Sequence, residues 1–368
     1  MVVLQFVLAK LADDAATPFR ELALLGNHRS VGISIFLLAV LRLAWRVSQG
    51  VPGSLPMPGW QFIASRVSHW SMYGLIFLLP VTGWLLSSAS AQGASWFNVI
   101  ALPNLVAADP ELAELFEEIH EILARLLLIV ALVHIVAALK HALVDRDAVV
   151  ARITSTGPIV LFVAVILAGA ATLTRVGSGS EEPGTPTRSL TPRDAETEAS
   201  DLPAWNVDYA ASYIRFRAIQ AGAPFPGEWQ EWRGDLHFDE ARLDESLFDV
   251  SVAVASVDTG DAERDRTLQE PAWFDGANFP AVRYRCGRFR QLAPGRYEAF
   301  GALTVKGRRM PVTFEFTLAR DAKTTVFDGT ARLDRIALGL GLGEWSDIRW
   351  IGKFVTVSVH VEAHDTTQ

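Results

Sequence analysis

The run from Glu111 to Asp147, ELAELFEEIHEILARLLLIVALVHIVAALKHALVDRD, sets His120 and His134 into a long apolar helix, with His141 at its edge. His120 and His134 are 14 positions apart, about four helical turns, so both project from nearly the same face about 21 Å apart along the axis. That is most of the depth of a hydrocarbon core of about 30 Å. An imidazole in hydrocarbon is costly unless it has a partner. Two kinds of partner satisfy it: haem iron, for which a neutral imidazole is a common axial ligand, or polar groups on neighbouring helices. Spacing alone leaves both open.

Half of the 368 residues are hydrophobic, as in a chain of two domains or more with one part embedded in a membrane. The net charge of −8, with no basic stripe, gives phosphate binding little electrostatic basis and excludes a nucleic-acid role. Cys286 is the only cysteine, so there is no internal disulfide, and without C-x-x-C-H any haem must be held non-covalently.

In chain order, residues 1–12 are apolar but too short to span and lack the charged start of a signal peptide, so they read as the end of a helix. A second span runs from His28 to about Arg46. A third covers Val67 to Ala89, with His69 near its start and Pro80 inside. The histidine-bearing helix is the fourth, and Gly157 to Leu173 is a fifth apolar run. Arg42, Arg46 and Arg66 follow the second span, and Lys140, Arg146 and Arg152 follow the fourth, whereas residues 92–116 contain no lysine or arginine. Basic loops stay in the cytoplasm. His28 and His120 are therefore expected at the outer leaflet, His69 and His134 toward the cytoplasm, and everything after Arg175 outside. His141 reads as an interfacial residue beside Lys140, and Arg125 as turned away from the histidine face and paired with Glu121.

Residues 177–203 are rich in Gly, Ser, Thr, Pro and Glu and read as a flexible linker. Beyond them the hydrophobic period becomes two. Val312, Phe314, Phe316 and Leu318 alternate with Thr313, Glu315 and Thr317, and Val355, Val357, Val359 and Val361 repeat the pattern, with His360 on the opposite, solvated face. Further runs at 213–216, 250–257, 282–289 and 325–333 make an antiparallel sandwich or barrel the expected fold.

The segments NHRSVGI, SRVSHWSMYGLIFLLPVTGWL, IHEILARL and VHIVAALKHALVDRD resemble the bacterial cytochrome b561 family over residues 1–153. The resemblance implies a four-helix, di-haem b protein of the bacterial inner membrane that exchanges electrons with quinones. His28 and His120 would ligate the outer haem and His134 the inner one. The family's partner for the inner haem is a histidine early in the first helix. Here an upstream start would supply it, His69 would substitute, or the inner haem is absent. Residues 154–175 add a transmembrane helix and 176–203 the linker.

Residues 204–366 resemble the YceI-like family of periplasmic, lipocalin-like barrels that hold a polyisoprenoid. The matching segments are AWNVDYAASYIRF, SVDTGDAERDRTLQEPAWFDGANFPAVRY, GALTVKGRRMPVTFEF and VTVSVHVEA. Arg266-Thr267 stands where the family has a histidine before the leucine. Trp229, Trp232, Trp273 and Phe274 are candidates to line an apolar cavity, or else ordinary core. The expected architecture is an all-α transmembrane bundle followed by an all-β antiparallel barrel. The expected function is electron transfer between a quinone pool and an extracytoplasmic partner. The resemblance admits superoxide as a donor, and the barrel would receive the quinone's isoprenoid tail. A membrane-tethered isoprenoid carrier without redox function is the competing reading.

Overall fold

The structure, a computed structural model, describes residues 1–49, 58–141, 143, 202, 204–320 and 324–364. The fifth apolar run and nearly all of the linker lie outside the described residues. Four long or medium helices come first: α1 (Val2–Asp13), α2 (Pro18–Gln49), α3 (Gly59–Ala89) and α4 (Pro110–Lys140). The chain divides into two compact units. One holds Met1–Lys10, His28–Leu86 and the described part of Glu114–Leu190. The other holds Leu11–Asn27, Ser87–Ala113 and the described part of Thr191–Gln368.

In the helical unit, α2, α3 and α4 each have 31 or 32 residues, about 46 Å of helix, which exceeds a hydrocarbon core of about 30 Å. All three are long and apolar enough to cross a membrane. The helix expected to begin at His28 begins ten residues earlier, at Pro18, where proline's fixed φ suits a first helical turn. α3 continues through Pro80, as helices in lipid do when neighbouring groups re-satisfy the freed carbonyl. α4 turns Ile129, Leu132, Val133 and Val136 outward, each more than half exposed. In water that face would be an aggregation surface, and in lipid it is the stable arrangement.

The other unit is built on a sheet of eleven strands, every pair antiparallel. These are β3 (Asn206–Gln220), β4 (Ala223–Trp229), β5 (Trp232–His237), β6 (Leu247–Ala253), β7 (Val257–Asp258), β8 (Ala281–Cys286), β9 (Phe289–Ala293), β10 (Arg296–Val305), β11 (Arg308–Arg320), β12 (Thr325–Asp334) and β13 (Phe354–His364). The order across the sheet is β5, β6, β8, β10, β11, β12, β13, β3, β4, β7, with β9 added on β10. The sheet curls into a lipocalin-like half-barrel. A separate hairpin, β1 (Ala94–Trp96) with β2 (Ile100–Leu102), belongs to the same unit.

Alternation decides which face is inside. In β11, Phe314, Phe316 and Leu318 are buried while Thr313, Glu315 and Thr317 are exposed, and Phe327 of β12 pairs with Val361 of β13. Phe316 and Phe327 stack at 4.2 Å between ring centroids, with Phe248, Phe238 and Phe289 around them. Each such ring contributes about 2–3 kcal/mol by burial, with a smaller increment from ring contacts. His360 lies on the outer face as expected, stacked on Tyr213 and hydrogen-bonded to Asp328 at 2.6 Å.

Candidate functional site

α4 contributes one histidine to each of two pairs within the helical unit. His28 of α2 faces His120, with ring centroids 6.3 Å apart and planes at 71°. His69 of α3 faces His134 at 5.1 Å and 58°. The pairing of His28 with His120 follows from their expected common depth. The second pair brings His69, one of the three alternatives that the sequence leaves open for the deep position, opposite His134. The His69 side chain is exposed, whereas the other three histidines are half-buried.

Their hydrogen bonds fix which ring nitrogen is available. His28 Nδ1 lies 3.1 Å from the carbonyl of Gln5; a carbonyl only accepts, so Nδ1 carries the proton and Nε2 keeps its lone pair. Thr82 Oγ1 donates its one hydrogen to the Leu79 carbonyl at 3.0 Å and lies 3.0 Å from His120 Nδ1. It must therefore accept from His120, whose Nε2 is again the basic nitrogen. Ser68 Oγ stands 3.2 Å from His134 Nδ1. Ser68 and Thr82 are 14 positions apart on α3, as His120 and His134 are on α4, so one antiparallel register meets both histidines with a hydroxyl. That matched spacing is a signal present in the sequence that inspection of histidines alone does not find.

These residues fit a haem. His28 and His120, with ring centroids 6.3 Å apart, would hold the haem iron through Nε2, the nitrogen that their hydrogen bonds leave with a lone pair. His69 and His134 would form the second such pair. A Cβ on Gly83 would lie 3.2 Å from His120 Cε1, so glycine keeps the flank of that ring clear. Among the described residues no group of three or more His, Cys, Asp or Glu gathers as a bare metal ion needs; a porphyrin needs only two axial ligands. Arg125 pairs with Glu121, four residues earlier on α4, and both side chains are exposed.

The β unit encloses a second candidate, an apolar cavity of about 270 Å3. All four expected aromatic residues, Trp229, Trp232, Trp273 and Phe274, line it. So do Val355, Val357, Val359 and Val361 of β13 and Val250 and Val252 of β6, which sequence reasoning placed in the core without assigning them a cavity. The segment SVDTGDAERDRTL acquires a local purpose. Asp261 caps α5 (Ala262–Leu268) by accepting from the Glu263 and Arg264 amides at 3.0 and 3.1 Å. The helix so fixed turns Arg264 and Thr267 to the cavity and leaves Arg266 exposed. Arg264 is held over the Phe225 ring at 4.0 Å. Arg335, 1% exposed, donates five hydrogen bonds to the carbonyls of Leu340, Gly341, Trp345, Ile351 and Gly352, which engages every guanidinium N–H. An arginine entering the otherwise apolar stretch RIALGLGL was the available hint of this knot.

Residues 1–156 match the family model for prokaryotic cytochrome b561. Over 123 residues the chain is 30% identical to the probable superoxide oxidase CybB of Yersinia pestis, covering 33% of this chain and 68% of that protein. The chain belongs to the prokaryotic cytochrome b561 family. It is also 31% identical over 121 residues to cytochrome b561 homolog 2 of Escherichia coli K12, covering 33% of this chain and 64% of the relative. Thus it spans somewhat less than two thirds of that b561 protein's length. Residues 205–363 match the YceI-like domain, so this b561 chain carries such a domain after its helices. Among solved structures, Burkholderia cenocepacia BcnA is similar at 28% identity, with 43% of this chain and 99% of that chain covered and a TM-score of 0.42.

Proposed function

We propose that the chain is a membrane b-type cytochrome that passes electrons between isoprenoid quinone and an extracytoplasmic partner, with superoxide as one candidate donor. The carrying observation is the pair of histidine pairs set 14 residues apart along α4, each closed by a histidine from another helix. Haem b bound at such a pair supplies a one-electron carrier. Around it, this chain's residues orient and exclude. The Gln5 carbonyl and the Thr82 hydroxyl hold the His28 and His120 rings with Nε2 presented. The apolar helices keep water from the site. The loop charges support an orientation with the His28/His120 end and the YceI-like domain on the extracytoplasmic side of the inner membrane. The apolar cavity suits the isoprenoid tail of the same quinone.

The test is haem quantitation and optical redox titration of the purified full chain. His28→Ala or His120→Ala is expected to remove one low-spin haem per chain and leave the other, while His69→Ala removes the second. Unchanged haem content and spectra in these variants would sink the assignment. Absence of a Soret band from the wild-type protein would leave an isoprenoid carrier.

A further inference from the structure

The two histidine pairs are part of a wider repeat in the helical unit. On α4 the step from His120 to His134 is 14 positions, on α3 the step from Ser68 to Thr82 is 14, and on α2 the step from His28 to Arg42 is again 14. At one level His28, Thr82 and His120 meet. At the other, Ser68, His69 and His134 meet, and nearly the same face of α2 arrives there with an arginine in place of a histidine. Arg46 follows Arg42 by one turn. Both guanidiniums turn to Tyr73, one turn beyond His69 on α3. Their carbons lie 6.0 and 5.5 Å from its ring centre, and Arg46 Nη1 stands 3.5 Å from its hydroxyl. Both charges also reach the His69 ring electrostatically.

Two cations one turn apart on a helix repel unless an anion lies between them. The helices themselves offer none: α2 after Glu21, the whole of α3 and α4 after Glu121 contain no Asp or Glu. Setting the orientation of a span requires only that its basic residues lie on the cytoplasmic side. It does not require two guanidiniums to converge on one tyrosine beside a histidine pair. Arg42 is exposed and Arg46 and Tyr73 are half-buried, so the cluster is open to a ligand. Each guanidinium presents a planar fork of N–H groups that matches a carboxylate.

We propose that Arg42 and Arg46, with the Tyr73 hydroxyl, bind the carboxylates of the haem held by His69 and His134. This rests on the reading of that pair as a haem site and adds the residues that orient the group about its axial ligands. Two axial nitrogens fix the centre of a porphyrin and leave it free to rotate about the line that joins them. A guanidinium pair at one edge removes that freedom. α2 thus serves both levels, with an axial ligand at one and a carboxylate clamp at the other.

The experiment uses the purified full chain carrying His28→Ala, which isolates this haem, loaded with haem b or with haem b dimethyl ester, whose carboxylates are blocked. Transfer to an excess of apo-globin is followed optically. Arg42→Gln or Arg46→Gln should speed the transfer of haem b about tenfold, the effect of one charged hydrogen bond, and that of the ester less than twofold. Arg42→Lys, which keeps the charge and loses the fork, should fall between Arg42→Gln and the parent chain. Unchanged transfer of haem b, as when a lipid phosphate occupies the guanidiniums instead, overturns the clamp. Equal acceleration of both haems also overturns it, because the arginines then act on the fold and not on the carboxylates. If the His28→Ala chain binds no haem, the haem reading of the His69/His134 pair falls and the clamp with it.

Discussion

In the helical unit α4 turns its apolar side chains outward and its histidines inward, whereas in the β unit the apolar side chains turn inward and their polar neighbours on each strand face out. The contrast extends to the polar groups each unit shields. Arg335 in the β unit has every donor engaged by a backbone carbonyl. His28 and His120 each have one ring nitrogen engaged and the other left with a lone pair. Under the proposed function, Arg335 ties the fold together while His28 and His120 would each offer the remaining nitrogen to haem iron.

The largest expected effect tests the structural side. Arg335→Leu strands five buried carbonyls, a loss on the order of 3–5 kcal/mol. The thermal transition of the β unit, followed by circular dichroism on the full chain, should fall by about 10 °C with haem content unchanged. A shift of a degree or less would show that Arg335 is not the knot described.

A smaller effect tests the functional side. Thr82→Val keeps the shape and removes the oxygen that accepts from His120 Nδ1. Haem transfer to an apo-globin acceptor should then reveal retention weakened about ten- to a hundredfold at one site. Equal retention in mutant and wild type would mean that the hydroxyl does not orient the ring.

The smallest effect lies on the outer face of the β unit, where a histidine is neither buried nor a ligand. Partial burial pushes the His360 imidazole down, but the Asp328 and Glu362 carboxylates push it up further, and the net is above the ordinary histidine value of 6.5. A raised folded value means that the ion pair stabilises fully below the unfolded pKa and fades as pH rises through the folded one. His360→Asn should therefore lower the transition by about a degree at pH 5.5 and by less at pH 8.5. A larger loss at the higher pH would reverse that sign.

The alternating pattern of β11 and β13 was fully legible, because a period of two has only one way to face a core. β4, β5 and β10 were not, since Pro224, Pro226, Gly227, Gly234 and Gly301 interrupt their apolar runs. The spacing of His120 and His134 was legible on α4 alone. That His69 meets His134 depends on how α3 lies against α4, and the matching separation of Ser68 from Thr82 needs both helices read together. The cavity was hardest to see, because a valine lining a space and a valine filling one have the same sequence pattern.

The 14-residue step between the two histidine pairs carries an electrical consequence under the proposed function. An electron moving between them travels about 21 Å along the membrane normal, roughly two thirds of a hydrocarbon core of about 30 Å. A full crossing by one charge is worth about 2.3 kcal/mol per 100 mV, so this step is worth about 1.6 kcal/mol per 100 mV. The transfer is thereby coupled to voltage: a membrane negative inside drives the electron from the His69/His134 end toward the His28/His120 end and resists its return.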